Sequence, residues 1–321
     1  MARVSLRALP LGIYGMVMGL MGLGLAWRIA GAPAWVSEPW IALGTAVFAL
    51  LAVLHAAKLF RHPDAVRAEL AHPALLGFCG ALPVAMSLVA AGLAPHAAPV
   101  AAVLWWVAYA LHIAFLAGGI ARWLAGMQLA DLNTGWIILM VGGIVVPLGG
   151  LPLGYTQAAA LLFAASVALA PVVMSLVLWR AASAPPLPAA ARPTGFVLLA
   201  PPMLLYINGP VVWAPSPWID AAYFGGLLLY LWLLAGARHF WRWPFSTAWW
   251  AFTFPLDAVA AAALHYAGAH PAPLWRGVAW TALALATACV LLVALRTLAA
   301  LRAGTLFVPP PMPRSGASPP A

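Results

Sequence analysis

Residues that could carry chemistry are few in this chain and stand apart from one another. Among the eight histidines, His55, His112 and His265 lie in or near apolar runs, and none has a second ligand four residues away. Cys79 and Cys289 lie in separate apolar runs. Haem, copper and zinc sites need ligands at short spacing, and neither a catalytic triad nor a phosphate loop is present. The sequence therefore predicts no metal, no cofactor and no enzyme; a haem or metal enzyme of the membrane stays open as a weaker alternative.

Uncharged polar side chains within the apolar runs are a second set of candidates. Hydroxyls, amides and backbone N–H groups at helix breaks bind small anions weakly enough to let them pass. The set comprises Ser87, Asn133, Thr134, Tyr206, Asn208 and Thr253. It predicts a pathway for small inorganic or organic anions that is sparse in fixed charge, with Ser87, Asn208 and Thr253 as candidates to face it.

Asp257 is an acid inside an apolar run, where an ionisable group is by default a functional candidate. An ionised carboxylate would repel anions. Burial away from water favours the neutral acid, and Asp257 could instead cap a helix that restarts at Pro255. We favour a neutral or capping Asp257 over a proton-coupling one, which stays open.

The composition sets the environment in which these groups must work. The chain has 321 residues, is 65% hydrophobic and 7% charged, and has a mean hydropathy of +1.00. A soluble domain carries roughly a quarter charged residues. The chain has a formal net charge of +9, which comes from basic residues scattered singly through loops. This pattern indicates membrane topology and not a nucleic-acid partner. We predict an all-α polytopic membrane protein whose surroundings are the lipid bilayer.

Apolar runs near the ~20 residues that cross a bilayer divide the chain into ten predicted transmembrane helices. They are separated by Gly, Pro and isolated charges. Residues 1–305 are predicted to form a single transmembrane domain, and 306–321 a Pro-rich, disordered cytoplasmic tail. The runs fall near 10–30, 41–60, 74–93, 100–120, 135–152, 157–179, 195–213, 218–236, 247–267 and 274–296.

Loop charges test this division, because cytoplasmic loops retain Lys and Arg. With ten helices and a cytoplasmic N-terminus, only Arg28 and Arg276 of the fifteen basic residues fall outside. One miscounted helix early in the chain would move every later loop to the other side. The sequence thus predicts a multi-pass protein of the inner (plasma) membrane with both termini cytoplasmic.

Prolines favour the odd-numbered predicted helices. Proline inside a helix frees a backbone carbonyl, which is tolerated in a membrane where it is buried in protein or lines a water-filled path. Among the even helices we place an interior proline only in the sixth, at Pro171. The odd helices are therefore predicted to be kinked and to surround a pore, although proline is also simply commoner in membrane helices. The predicted kinks lie at Pro83, Pro147, Pro201, Pro202 and Pro255.

Four stretches, read together in their order and spacing, resemble the tellurite-resistance/dicarboxylate transporter family. That family includes bacterial TehA-like proteins, yeast malate transporters and the slow anion channels of plant guard cells. The matches extend from residue 9 to about 300. They are Leu9-Pro10-Leu11-Gly12-Ile13-Tyr14-Gly15 running on to Gly24-Leu25-Ala26-Trp27, Val66-Arg67-Ala68-Glu69 with His72-Pro73, Leu198-Leu199-Ala200-Pro201, and Trp250-Ala251-Phe252-Thr253-Phe254.

The resemblance implies an architecture and a gate. It implies five helical hairpins in quasi-fivefold arrangement, kinked odd helices around a central anion pore, and association into a homotrimer. A phenylalanine of the ninth helix obstructs the family's pore, and the matching stretch places it at Phe254. Packing against lipid or core is the alternative role for this ring.

Two functions follow from these expectations. The first is a gated passive channel for small anions such as chloride or nitrate across the cytoplasmic membrane. The alternative is a proton-coupled secondary transporter of C4-dicarboxylates or tellurite-type oxyanions, with Asp257 as the proton site.

Overall fold

The computed structural model describes residues 5–237 and 243–306, and helices are the only regular elements it contains there. In lipid a backbone must satisfy its own hydrogen bonds, which an α-helix does within one segment. The predicted disordered tail, 306–321, lies outside the described residues except for Leu306. Its disorder, and the domain boundary at 305, stay predictions.

Within the described part of the chain, nine helical segments are long and apolar enough to cross a membrane. A tenth apolar segment, at the position of the predicted fifth helix, is shorter. We number the ten segments in chain order. This confirms an all-α membrane architecture, whereas a full crossing by segment 5 stays a prediction. The segments are Leu11–Ile29, Ala34–Arg61, Pro73–Leu93, Ala98–Leu124, Gly135–Gly150, Thr156–Ser183, Ala189–Val211, Pro217–Gly236, Thr247–Ala269 and Pro273–Arg302.

Proline and glycine set many of the segment ends. Pro73, Pro217 and Pro273 are first residues of α-helices. At that position the N–H that proline lacks would have no partner within the helix, so its absence costs no hydrogen bond. Gly31, with φ 71°, lies in the turn between segments 1 and 2 in the left-handed conformation that glycine adopts without strain. The 3₁₀ helix Leu6–Ala8 precedes segment 1. The α-helix Pro63–Ala71 lies between segments 2 and 3, and the 3₁₀ helix Leu129–Asp131 lies between segments 4 and 5.

The odd segments form a closed ring with the even segments outside it. Each odd segment packs against the even segment that follows it. Segments 1 and 3, 3 and 5, 5 and 7, 7 and 9, and 9 and 1 are also in contact. In the most apolar 18-residue stretch of the four long odd segments, 61%, 72%, 56% and 72% of the residues are buried. The corresponding share in the even segments is 22–33%, so the even segments carry the outward apolar surface.

Every odd segment changes its helical geometry along its length, whereas every even segment is one continuous α-helix. In segments 1, 7 and 9 a 3₁₀ stretch precedes the α-helix, and in segment 3 two α-helices meet at Gly80. Segment 5 has a 3₁₀ stretch between two α-helices. The parts are Leu11–Tyr14 and Gly15–Ile29; Pro73–Cys79 and Ala81–Leu93; Gly135–Val141, Gly142–Val145 and Pro147–Gly150; Ala189–Leu199, Ala200–Asn208 and Gly209–Val211; and Thr247–Phe252 and Thr253–Ala269.

The predicted proline kinks coincide with these changes. Pro83, Pro147, Pro201, Pro202 and Pro255 all lie within the first three residues of an α-helical part. At these positions the φ angle fixed by the proline side chain suits the start of an α-helix, and the N–H that proline lacks would have no carbonyl partner within that helix. The expectation about the even helices was wrong in one respect: segment 2 begins at Ala34 and not at 41, so Pro39 is an interior proline of an even segment.

Glycine brings segments 3 and 5 into backbone contact at the break. A Cβ atom on Gly80 would lie 2.6 Å from the Cα of Leu139, and one on Gly77 would lie 2.7 Å from the carbonyl carbon of Gly135. Backbone atoms cannot move aside as a flexible side chain does. These two glycines therefore hold segment 5 close enough to segment 3 for the ring to close.

Candidate functional site

Two cavities lie within the ring of odd segments. The first, which we call the Glu69 cavity, has a volume of about 270 Å³ and is lined by residues of all five odd segments. The second, the Arg28 cavity, has a volume of about 330 Å³ and also receives residues from all five. Both are lined mainly by apolar side chains. The exceptions are Glu69 and Thr247 in the first cavity, and Arg28, Asp257 and His265 in the second.

Phe254 lies at the boundary between the two cavities. Its side chain and that of Leu204 line both of them. Phe254 is the second residue of the α-helical part of segment 9 and is 5% exposed. On the neighbouring segment 1, a Cβ atom on Gly22 would lie 2.9 Å from the Cδ2 of Phe254. The ring therefore rests against the bare backbone of segment 1 and separates the cavities.

Asp257 lies three residues beyond Phe254, one turn along the same helix face, and lines the Arg28 cavity. It is 1% exposed, and neither Oδ1 nor Oδ2 has a hydrogen-bond partner among the described residues. The capping role considered above is wrong. The α-helix begins at Thr253 with Phe252 as its N-cap residue, and no side chain caps it.

The other three candidates for pore-facing polar groups lie elsewhere. The Oγ1 of Thr253 donates to the carbonyl of Trp250 at 2.8 Å, and Nδ2 of Asn208 donates to the carbonyl of Ile144 at 2.8 Å. Both carbonyls belong to 3₁₀ stretches, so these side chains satisfy backbone groups at the breaks. Ser87 is fully buried, and none of the three is among the lining residues of either cavity.

Two of the five predicted kink prolines line a cavity, and the other three do not. Pro201 and Pro255 line the Glu69 cavity, beside the α-helix starts of segments 7 and 9. Pro83, Pro147 and Pro202 line neither cavity. Their place at the helix restarts gives them a role in shaping the ring.

A buried ion pair at the Glu69 cavity was missed by sequence reasoning. The Nζ of Lys58 lies 2.7 Å from Oε2 of Glu69 and donates to the carbonyl of Leu9 at 2.7 Å. The N–H of Leu11 donates to Oε1 of Glu69 at 2.5 Å. The position of Lys58 inside the apolar run 41–60 was a signal for such a pair. The pair joins segment 2, the helix Pro63–Ala71 and the start of segment 1.

A second ion-pair cluster lies at the Arg28 cavity. Nε and Nη2 of Arg28 donate to the two carboxylate oxygens of Glu38, each at 2.7 Å, and Nη1 donates to the carbonyl of Gly92 at 2.9 Å. The Nε2 of His96 lies 3.0 Å from Glu38 Oε2 and 3.1 Å from Arg28 Nη2. Glu38 thus balances the charge of Arg28, and the cluster joins segments 1, 2 and 3.

Comparisons with known proteins point in one direction. Residues 8–298 match the sequence profile of the family described as Voltage-dependent anion channel. Three similar proteins come from Arabidopsis thaliana. The S-type anion channel SLAH3 is 24% identical over 80% of this chain and 43% of its own length. The guard cell S-type anion channel SLAC1 is 26% identical over 88% and 54%, and the S-type anion channel SLAH2 is 27% identical over 80% and 52%. The chain therefore spans about half the length of these relatives.

Proposed function

The chain belongs to the voltage-dependent anion channel family, and from this premise we propose that it is a gated passive channel for small anions such as chloride and nitrate. One observation carries the proposal: the Phe254 ring separates two cavities inside a ring of five interrupted segments. An aromatic ring in a narrow apolar passage excludes water and hence hydrated ions. In this account the passage is closed when the ring lies against Gly22 and opens when it leaves.

The direction of the helices supports anions as the permeating species. Gly15, Ala81 and Ala200, which begin the α-helical parts of segments 1, 3 and 7, line the Glu69 cavity. Segment 9 adds Phe254 and Pro255, at the start of its own α-helix. The first N–H groups of three of these α-helices, at Gly15, Ala200 and Thr253, already donate to carbonyls of the preceding 3₁₀ stretch. The cavity therefore favours an anion only through the partial positive charge of the helix starts, and these three N–H groups do not bind it tightly.

The charged side chains at the cavities support fast passage over tight binding. Glu69 is paired with Lys58, and Arg28 is paired with Glu38. A paired charge attracts an anion weakly, because its partner opposes the attraction. Weak binding allows an ion to leave as readily as it enters.

We further propose that the Glu69 cavity faces the cytoplasm, with both chain termini on that side. The loop charges support this orientation. Contacts also group the loops by side: Arg7 pairs with Asp64 and Arg122 donates to the carbonyl of Ala71, whereas His96 lies in the Arg28 cluster with Glu38. An inside-negative potential would then favour anion export by about 2.3 kcal/mol per charge per 100 mV. Assembly into a homotrimer is proposed on the family resemblance alone.

The orientation can be checked by cysteine labelling. Cysteines introduced at Pro95 and Pro215 are expected to react with an impermeant thiol reagent added outside intact cells. A cysteine at Ala184 is expected to react only after the cells are opened. Labelling of Ala184→Cys in intact cells would reverse the proposed orientation.

A proton-coupled carrier of dicarboxylates or oxyanions is the second candidate, because Asp257 is a buried acid on a cavity wall. Reconstitution separates the two. A channel is expected to give planar-bilayer currents that grow in proportion to voltage and exceed carrier turnover. Saturable uptake that requires a pH gradient, with no such current, would favour the carrier.

A further inference from the structure

Asp257 is an acidic residue in the wall of the Arg28 cavity, and passive conduction of anions does not by itself require an acid there. Asp257 is 1% exposed, and neither of its buried carboxyl oxygens has a partner among the described residues. It lies one turn from Phe254, on the side of the ring that faces the Arg28 cavity. A Cβ atom on Gly22 would lie 2.7 Å from its Oδ2, so the same glycine accommodates the ring and the carboxyl.

The chemistry of the carboxyl limits what it can do beside an anion. An ionised carboxylate only accepts hydrogen bonds and repels an anion, whereas the protonated acid has one O–H to donate. An ionised group without a partner is also strongly disfavoured away from water. We propose that Asp257, as the neutral acid, donates a hydrogen bond to an anion held in the Arg28 cavity, next to the closed Phe254 ring. The inference rests on the proposed anion pathway and adds a specific binding group to it.

Among the described residues that line the Arg28 cavity, no lysine or arginine is free to hold Asp257 ionised. Segment 1 contributes Arg28, and that guanidinium is bound to Glu38 and to the carbonyl of Gly92. Segment 9 itself contributes His265, about two turns beyond Asp257, and segment 10 places the thiol of Cys289 near Asp257.

The remaining walls of the cavity are uncharged. Segments 3, 5 and 7 contribute uncharged, non-titratable residues: Leu88, Ala91, Leu148, Leu204 and Ile207. Loss of the proton would therefore leave an unbalanced negative charge in the path of the anion. Anion passage should fall as the pH of the Arg28 side rises.

The test uses Phe254→Ala as the background, so that the ring does not limit the current. Nitrate currents are measured in planar bilayers while the pH on the Arg28 side is varied. With Asp257 intact, the current is expected to fall as that pH rises. Asp257→Asn retains an N–H donor and cannot ionise, so it should keep most of the current and lose the pH dependence. Asp257→Leu removes the donor, keeps the branched shape of the side chain and should lower the current about tenfold at every pH.

Two further variants keep the result unambiguous. His265→Gln replaces the histidine that lines this cavity, and His96→Gln replaces the one beside Glu38 and Arg28; the pH dependence is expected to persist in both. Persistence of the pH dependence in Asp257→Asn, its loss in either histidine variant, or equal currents in Asp257→Asn and Asp257→Leu would overturn the inference.

A binding readout separates this inference from the proposed channel. Nitrate is expected to raise the unfolding temperature of the purified protein and of Asp257→Asn, and to do so less in Asp257→Leu. That pattern without current in any variant would refute the channel and retain the site. An equal nitrate effect in all three proteins, or none in any, would refute the site.

Discussion

Replacement of Phe254 by alanine is expected to raise anion conductance by about ten- to a hundredfold. In the closed arrangement an anion passes only if the ring leaves its buried position between the two cavities. Exposing a buried phenylalanine costs about 1.5–3 kcal/mol, and removal of that step corresponds to the stated change in rate. The measurement is anion current per reconstituted protein in planar bilayers, compared with the unchanged protein.

Phe252 provides a matched control within the same segment. It is buried, packs against Phe196 and Trp249, and lines neither cavity. Phe252→Ala is therefore expected to lose packing, by about 3–5 kcal/mol, without a gain in current. A rise in current with Phe252→Ala and none with Phe254→Ala would place the passage on another face of segment 9. Poor folding of both variants, with no rise in either, would make Phe254 a packing residue.

Replacement of Glu69 by alanine is expected to lower the free energy of unfolding by about 3–5 kcal/mol, because it leaves the ammonium of Lys58 buried without its counter-charge. The start of segment 1 would also lose its anchor, since the N–H of Leu11 donates to the same carboxylate. The measurement is the stability of the protein in detergent against heat or denaturant.

Two controls distinguish this pair from ordinary surface charge. The double replacement Lys58→Met with Glu69→Leu removes both charges and is expected to recover most of the loss. Asp64→Ala breaks an exposed pair with Arg7 and is expected to change stability little. If Glu69→Ala were as mild as Asp64→Ala, the buried pair would have no structural role.

The positions of the segments could be predicted from the sequence because hydropathy and loop charge act locally. The run predicted at 74–93 is the segment Pro73–Leu93, and the run at 218–236 is Pro217–Gly236. The prolines also indicated which segments form the inner ring. The prolines could not show the 3₁₀ geometry that precedes the helix restarts of segments 1, 5, 7 and 9. They also could not show the break of segment 1 at Gly15, where no proline is present.

Side-chain partners were the part that the sequence could not supply. Thr253 and Asn208 were polar groups of the right kind, but each satisfies a carbonyl that only the fold brings near. The partner of Lys58 could not be predicted, because Glu69 lies eleven residues away on another helix. The family resemblance implies that Phe254 obstructs the pore, whereas its contact with Gly22 is visible only in three dimensions.

The reversal potential of Phe254→Ala, measured in a bilayer with a potassium chloride gradient, shows whether anions cross through the ring of odd segments and whether the Phe254 side chain closes this path. We expect a large current that reverses at the chloride equilibrium potential. A current that reverses at the potassium equilibrium potential, or no current above that of the unchanged protein, would contradict this expectation.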